Sequence, residues 1–305
     1  MSKLLTVFAL VGVFLYADPA FAEMTSSNFK IRWDSVTTGG SDTASSASYG
    51  LRDSVGGPSV GASTSANYQT SAGYRAGIFD QVITFDILPQ SVTDQRAVTS
   101  RSSLTISTTS TGSLSAGDYI VLVQDRGADQ ISAVGRIVSG GIVSGVSITV
   151  DAWSDNGTTP TIDGSNDFFS PLNGSSVALG NLLVTTVSTA VIAYEVSSET
   201  DNGYSVQLMQ AGNLLSGGND INPVADGVVT IGSEEFGARS SDTTLATSTF
   251  DTTDTAITSL FQEVTTESTT KFNDRHFVTL KAAMSPATAT GTYTQTLTLI
   301  ASGNF

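Results

Sequence analysis

Ala190-Val-Ile-Ala-Tyr-Glu-Val196, followed after a polar turn by Gly203-Tyr-Ser-Val-Gln-Leu-Met209, carries the reading of the fold. Both are short runs rich in β-branched and aromatic residues, bounded by Ser, Thr, Asp, Asn and Gly, which is how strands and their turns are written. Downstream the signature recurs at Gly227-Val-Val-Thr-Ile231, Arg275-His-Phe-Val-Thr-Leu-Lys281 and Thr292-Tyr-Thr-Gln-Thr-Leu-Thr-Leu-Ile-Ala301. Upstream it is found at Val82-Ile-Thr-Phe-Asp-Ile87, Ser103-Leu-Thr-Ile-Ser107, Asp118-Tyr-Ile-Val-Leu-Val123 and Val146-Ser-Ile-Thr-Val150. Short strands at this spacing suit a sandwich. Residues 239–270, dense in Ser, Thr, Asp and Glu, read as a long surface loop with one weak strand at its end. The expectation is an all-β chain with two Ig-like or jelly-roll-type β-sandwich domains, 46–165 and 166–305, separated by the loop-like stretch 154–176.

Composition agrees. Among 305 residues there are 42 Thr, 43 Ser and 29 Gly against 7 Pro, a balance that favours strands and turns over helices. Thirteen basic against 28 acidic residues leave a net charge of -15, the wrong sign for a phosphate backbone, so nucleic acid is excluded as a partner. With no cysteine, thiol catalysis, cysteine zinc sites and disulfides are excluded as well.

The chain opens on an address. Lys3 precedes the apolar run Leu4–Tyr16, and Ala20-Phe21-Ala22 is the small-x-small pattern that signal peptidase accepts, so residues 1–22 read as a signal peptide cleaved before Glu23. The run is about 13 residues, short of the roughly 20 that span a bilayer, and no later stretch comes closer. The mature chain is therefore expected outside the cytoplasmic membrane, with no transmembrane segment. Residues 23–45 then hold an amphipathic strand and a tether. Asn28-Phe-Lys-Ile-Arg-Trp-Asp34 alternates strictly, with Phe29, Ile31 and Trp33 on one face and Lys30, Arg32 and Asp34 on the other. The Gly/Ser/Thr stretch 37–47 that follows has linker composition. Beyond it, Ser46-Ala-Ser-Tyr49-Gly-Leu is echoed by Ser65-Ala-Asn-Tyr68-Gln-Thr, read as Gly-rich hairpins whose tyrosines share a face.

The pattern Ala178-Leu-Gly-Asn-Leu182, a Thr/Val strand, Gly203-Tyr-Ser-Val and a closing Gly291-Thr-Tyr-Thr-Gln-Thr-Leu-Thr-Leu resembles the last domain of secreted bacterial surface β-sandwich proteins, including pilin-like and wall-binding modules. The resemblance covers about 125 residues and implies a non-enzymatic surface or filament protein. Two features of those families are missing: the Trp-x-Leu signature, since Trp33 and Trp153 are followed by Asp34-Ser35 and Ser154-Asp155, and the paired cysteines.

Motifs for chemistry are sparse. Gly57-Pro-Ser-Val-Gly61 fits the Gly-x-Ser-x-Gly string of serine hydrolases, but no helix follows, and the surrounding stretch is saturated with Gly and Ser. Adjacent Glu234 and Glu235 would point to opposite faces of a strand, the wrong geometry for a glycosidase pair. The single histidine, His276, is expected to face solvent; without cysteine it builds a zinc site only if carboxylates supplement it. No catalytic residue is expected. Calcium is the more credible use of the acidity, because Asp163, Ser165 and Asp167 place oxygens at alternate positions of one turn with Asp155 nearby. Otherwise no cofactor is expected.

These features point to two functions. In the first, the tethered strand leaves its own subunit and adds to the sheet of an identical neighbour, seating Phe29, Ile31 and Trp33 in a groove there, so that a cell-surface filament or layer grows by strand donation. In the second, Tyr49, Tyr68 and Tyr74 stack on glycan rings, and the protein is a monomeric module that binds cell-wall polysaccharide. A secreted hydrolase comes third.

Overall fold

The computed structural model describes residues 82–304 and, upstream of them, the backbone of six short strands. The chain divides into two compact units, Met1–Asp80 and Gln81–Phe305. In the first, β1 (Met24–Thr25) pairs with β2 (Lys30–Ile31), β3 (Gly39–Ser45) with β4 (Gly50–Val55), and β5 (Gly61–Thr64) with β6 (Gln69–Ala72), all antiparallel. Gly39–Ser45, expected as tether, is thus a hairpin arm; main-chain pairing needs no apolar alternation, and Ser and Thr are compatible with it.

The second unit is all-β apart from one short 3-10 turn, Val92–Asp94. It opens with β7 (Ile83–Pro89). There follow β8 (Arg96–Ser102), β9 (Thr105–Thr108), β10 (Tyr119–Gln124), β11 (Ile131–Val143), β12 (Ser147–Val150), β13 (Ser154–Asp155) and β14 (Phe168–Pro171). The chain closes with β15 (Ser188–Ser198), β16 (Tyr204–Gln210), β17 (Leu214–Ser216), β18 (Asn219–Ile221), β19 (Glu235–Ser240), β20 (Gln262–Glu267), β21 (Lys271–Ala283) and β22 (Leu297–Gly303).

Two packed sheets form the larger core. The order β19-β21-β15-β7 faces the order β20-β16-β22, and between them lie Tyr194, Val196, Tyr204, Leu208, Phe236, Phe250 and Val278, all buried. The other face of the four-stranded sheet is also covered: Val191, Ala193 and Phe277 pack on Val121, Val123 and Val134. This explains why 190–196 reads as a nearly continuous apolar run, since β15 is buried on both faces.

Strands β8 to β14 build the second body. Their pairing closes on itself, because β10 bonds both β14 and β11 around the order β10-β14-β8-β9-β12-β11. Strands β8 and β11 turn the corners. Each pairs with one side through its first half and the other side through its second, and each shifts register in between, at Val98/Ser100 and Ile137/Ile142. Val98, Ile106, Ile120, Leu122, Ile148 and Phe169 fill the interior.

Sheet pairing does not follow a cut at residue 165. Strand β14 lies C-terminal to that position yet pairs with β8 and β10, whereas β7, far upstream, pairs with β15 along its whole length. The body built from β8 to β14 is therefore inserted between two adjacent strands of the sandwich.

Three segments differ from expectation for identifiable reasons. Gly227–Ile231 is no strand: Gly227 sits at φ +86°, and the Val229 amide donates to the Asp254 carboxylate instead of to a ladder, leaving Val228 and Ile231 exposed. Strand β11 is invisible to apolar alternation because of its glycines. A Cβ on Gly135 would lie 2.9 Å from the Val150 side chain, and one on Gly141 2.5 Å from the Thr149 carbonyl oxygen. Within 239–270, strand β20 stands near the expected end, but the loop before it is packed, with Phe250, Ile257 and Leu245 buried in the core.

Candidate functional site

Among the described residues one edge of the sandwich is left open: strand β22 bonds only β16, and β7, which lies beside β22, bonds only β15, so neither joins the other. Their inward residues Ile83, Phe85, Leu297, Leu299 and Ala301 pack on the core but remain partly exposed, whereas Val206 and Leu208 on the central β16 and Val264 on the opposite edge strand β20 are fully buried. Outward-facing Ile300 is exposed at 36%. The edge thus presents unpaired main-chain groups beside a row of alternating apolar side chains, the arrangement to which an added strand binds.

The sequence-nominated strand residues Phe29 and Trp33 and the tyrosines Tyr49, Tyr68 and Tyr74 lie outside the described residues; of Ile31 the backbone alone is described. The calcium candidates are placed, and their oxygens serve their own turns. Asp167 Oδ2 accepts from the amides of Asp163 and Gly164, and Asp163 Oδ1 from the Ser165 amide. Asp155 accepts from the Gly157 amide and the Thr159 hydroxyl. Asp155, Asp163 and Asp167 do not converge as a ligand group; Asp167 Oδ1 is buried without a partner among the described residues. Glu234 and Glu235 likewise anchor loops, Glu234 accepting from Asn222 and Thr288, and Glu235 from the Thr230 amide.

Two charged networks went unread in the sequence because their members are far apart along it. Arg275, 7% exposed, donates from Nε to Glu195 at 2.9 Å and from Nη1 to Asp151 at 2.8 Å, with Nη2 on the second Asp151 oxygen. Tyr119 donates to the other Glu195 oxygen at 2.9 Å, and the Arg136 and Arg275 guanidinium groups lie over its ring. Burial and the Glu195 carboxylate push the Tyr119 hydroxyl up to about 12. Burial alone would raise the Asp151 carboxyl, but Arg275 overrides it and holds the group below its ordinary value. The cluster ties the inserted body to the four-stranded sheet. In the second network Lys281, buried, meets Asp254 at 2.9 Å and donates to the Ala128 carbonyl at 2.8 Å. It borders a polar cleft of about 250 Å³ lined by Gln130, Ser132, Asn156, Arg239 and Thr279.

His276 is mostly buried, 14% exposed, which corrects the expectation of a solvent-facing ring. It lies against the Tyr194 ring, on the core side of β21. Among the described residues Glu267, Asp274 and His276 are the only set of three or more histidine or acidic residues whose ligand atoms gather within 4.8 Å of one another. Burial raises the Asp274 carboxyl, and the His276 and Tyr204 groups beside it outweigh that and hold it low.

Comparison with known proteins places the chain in no family: no family model, curated protein or solved structure matches it. Among the described residues no helix is long and apolar enough to cross a membrane.

Proposed function

We propose that the protein is a secreted, non-enzymatic structural protein, a subunit that polymerises at the cell surface when residues 28–34 of one copy add as a strand to the β22 edge of the next. The open edge carries this reading: a strand with one side free among the described residues, whose inward Leu297, Leu299 and Ala301 stay partly exposed beside the buried core. The alternation of Phe29, Ile31 and Trp33 matches that row, and Lys30 and Arg32 on the opposite face suit a body with net charge -15. Three large side chains at about 1.5–3 kcal/mol each supply enough burial to drive exchange. Donation from head to tail does not close on itself, so it yields filaments.

The test is negative-stain electron microscopy of chains starting at residue 23 and at residue 39. Filaments from the longer chain alone support strand donation. Dispersed particles from both overturn it and favour the monomeric glycan-binding module.

A further inference from the structure

We propose that Glu267, Asp274 and His276 hold a divalent transition-metal ion, zinc by donor preference, where β16, β20 and β21 meet at one end of the sandwich. Glu267 closes β20 opposite Tyr204, and Asp274 and His276, two residues apart, share the inner face of β21. His276 Nε2 is sealed from solvent and has no hydrogen-bond partner among the described residues. It stands 3.6 Å from Asp274 Oδ2 and 3.9 Å from Glu267 Oε1. Those gaps are too long for hydrogen bonds. They are close to the separation of about 3.4 Å between two ligands of a tetrahedral ion bound at about 2.0–2.2 Å.

The surroundings orient the ligands. The Tyr204 hydroxyl donates to Asp274 Oδ2 at 3.0 Å, and Lys271 pairs at 3.0 Å with Glu267 Oε2, which leaves Oε1 turned toward the imidazole. Carboxylates that bind metals are commonly held by such outer contacts. Two carboxylates against one lysine leave a net negative charge at the site, which favours a cation. A nitrogen ligand with two carboxylates suits zinc and argues against calcium, which takes oxygen. Water would complete the coordination. The ion would fasten β20 to β21 directly and β16 through Tyr204.

The chain has one histidine, so a single imidazole reports the site. The protein from residue 23, without a histidine tag, is labelled with ¹⁵N-histidine and titrated with zinc chloride while the ring nitrogens are followed by NMR. The expected result is one equivalent of zinc moving the Nε2 resonance to the metal-bound position, with affinity about 10-fold weaker in Tyr204→Phe. An Nε2 resonance unmoved by excess zinc in the wild-type protein overturns the proposal, as does a shift that persists unchanged in a folded Glu267→Gln, Asp274→Asn variant. Filament formation plays no part in either readout.

Discussion

Arg275 joins two carboxylates that come from different bodies of the fold, and at 7% exposure it does so out of water. Arg275→Ala strands Glu195, itself only 10% exposed, and is expected to cost about 3 kcal/mol in denaturant unfolding; Arg275→Met, which restores apolar volume, should lose less. Asp151, more than a third exposed, contributes little to that figure. Its depressed pKa nevertheless gives a sign. The stability it adds is complete above the unfolded value of 3.8 and disappears as pH falls through the lower folded value, so acid unfolding between about pH 5 and pH 2 should be shallower in Arg275→Ala. Tyr119 gives the opposite limb. Its contribution is present below pH 10 and lost as pH rises toward about 12, so Tyr119→Phe should remove one late step from the tyrosinate absorbance titration and flatten the alkaline loss of stability. Gly203 stands at φ +73°, and a Cβ there would meet the Glu267 carbonyl oxygen at 2.0 Å. Gly203→Ala is therefore expected to lower thermal stability by roughly 2–3 kcal/mol through backbone strain, read by calorimetry.

At the scale of single strands, the half-buried row on β22 separates folding from assembly. Leu299→Asp should leave the monomer folded by circular dichroism while filaments disappear, because the aspartate faces a groove that only an incoming strand would close. A variant that still polymerises would count against the β22 edge as acceptor. Strands of this kind were legible: β10, β12, β15, β16 and β21 all overlap runs marked by β-branched and aromatic residues. Strand β11 was not, since its glycines satisfy close approaches to Val150 and Thr149 that no local pattern encodes. Val228, Val229 and Ile231 look like a strand in composition, and only a carboxylate 25 positions away, Asp254 against the Val229 amide, decides otherwise. The histidine cluster was half legible. A lone His276 was visible and its need for carboxylates evident, but Glu267 reaches it across a turn and Tyr204 from another sheet, contacts set by tertiary packing alone.

For the molecule as a whole, the consequence of β7 and β14 each pairing across the cut at residue 165 is cooperativity. Chains 82–165 and 166–305 made separately should not fold, the first lacking β14 and the second β7, whereas 82–305 should unfold in one transition; dispersed amide NMR spectra from both pieces would refute this. The same topology brings the chain in and out at one end: Glu199 donates to the Val82 carbonyl and Asn304 to that of Gly203, so both ends of this unit lie against the turn between β15 and β16. In a filament built by the proposed strand donation, tension applied at residue 82 against the neighbour along β22 would load the β7–β15 ladder lengthwise, so that its rungs give way together. Tension applied across the strands would open them one at a time. Force spectroscopy with the two pulling directions should then find a stiff, late-yielding link along the strand axis and a weak one across it, the mechanical anisotropy of a tether.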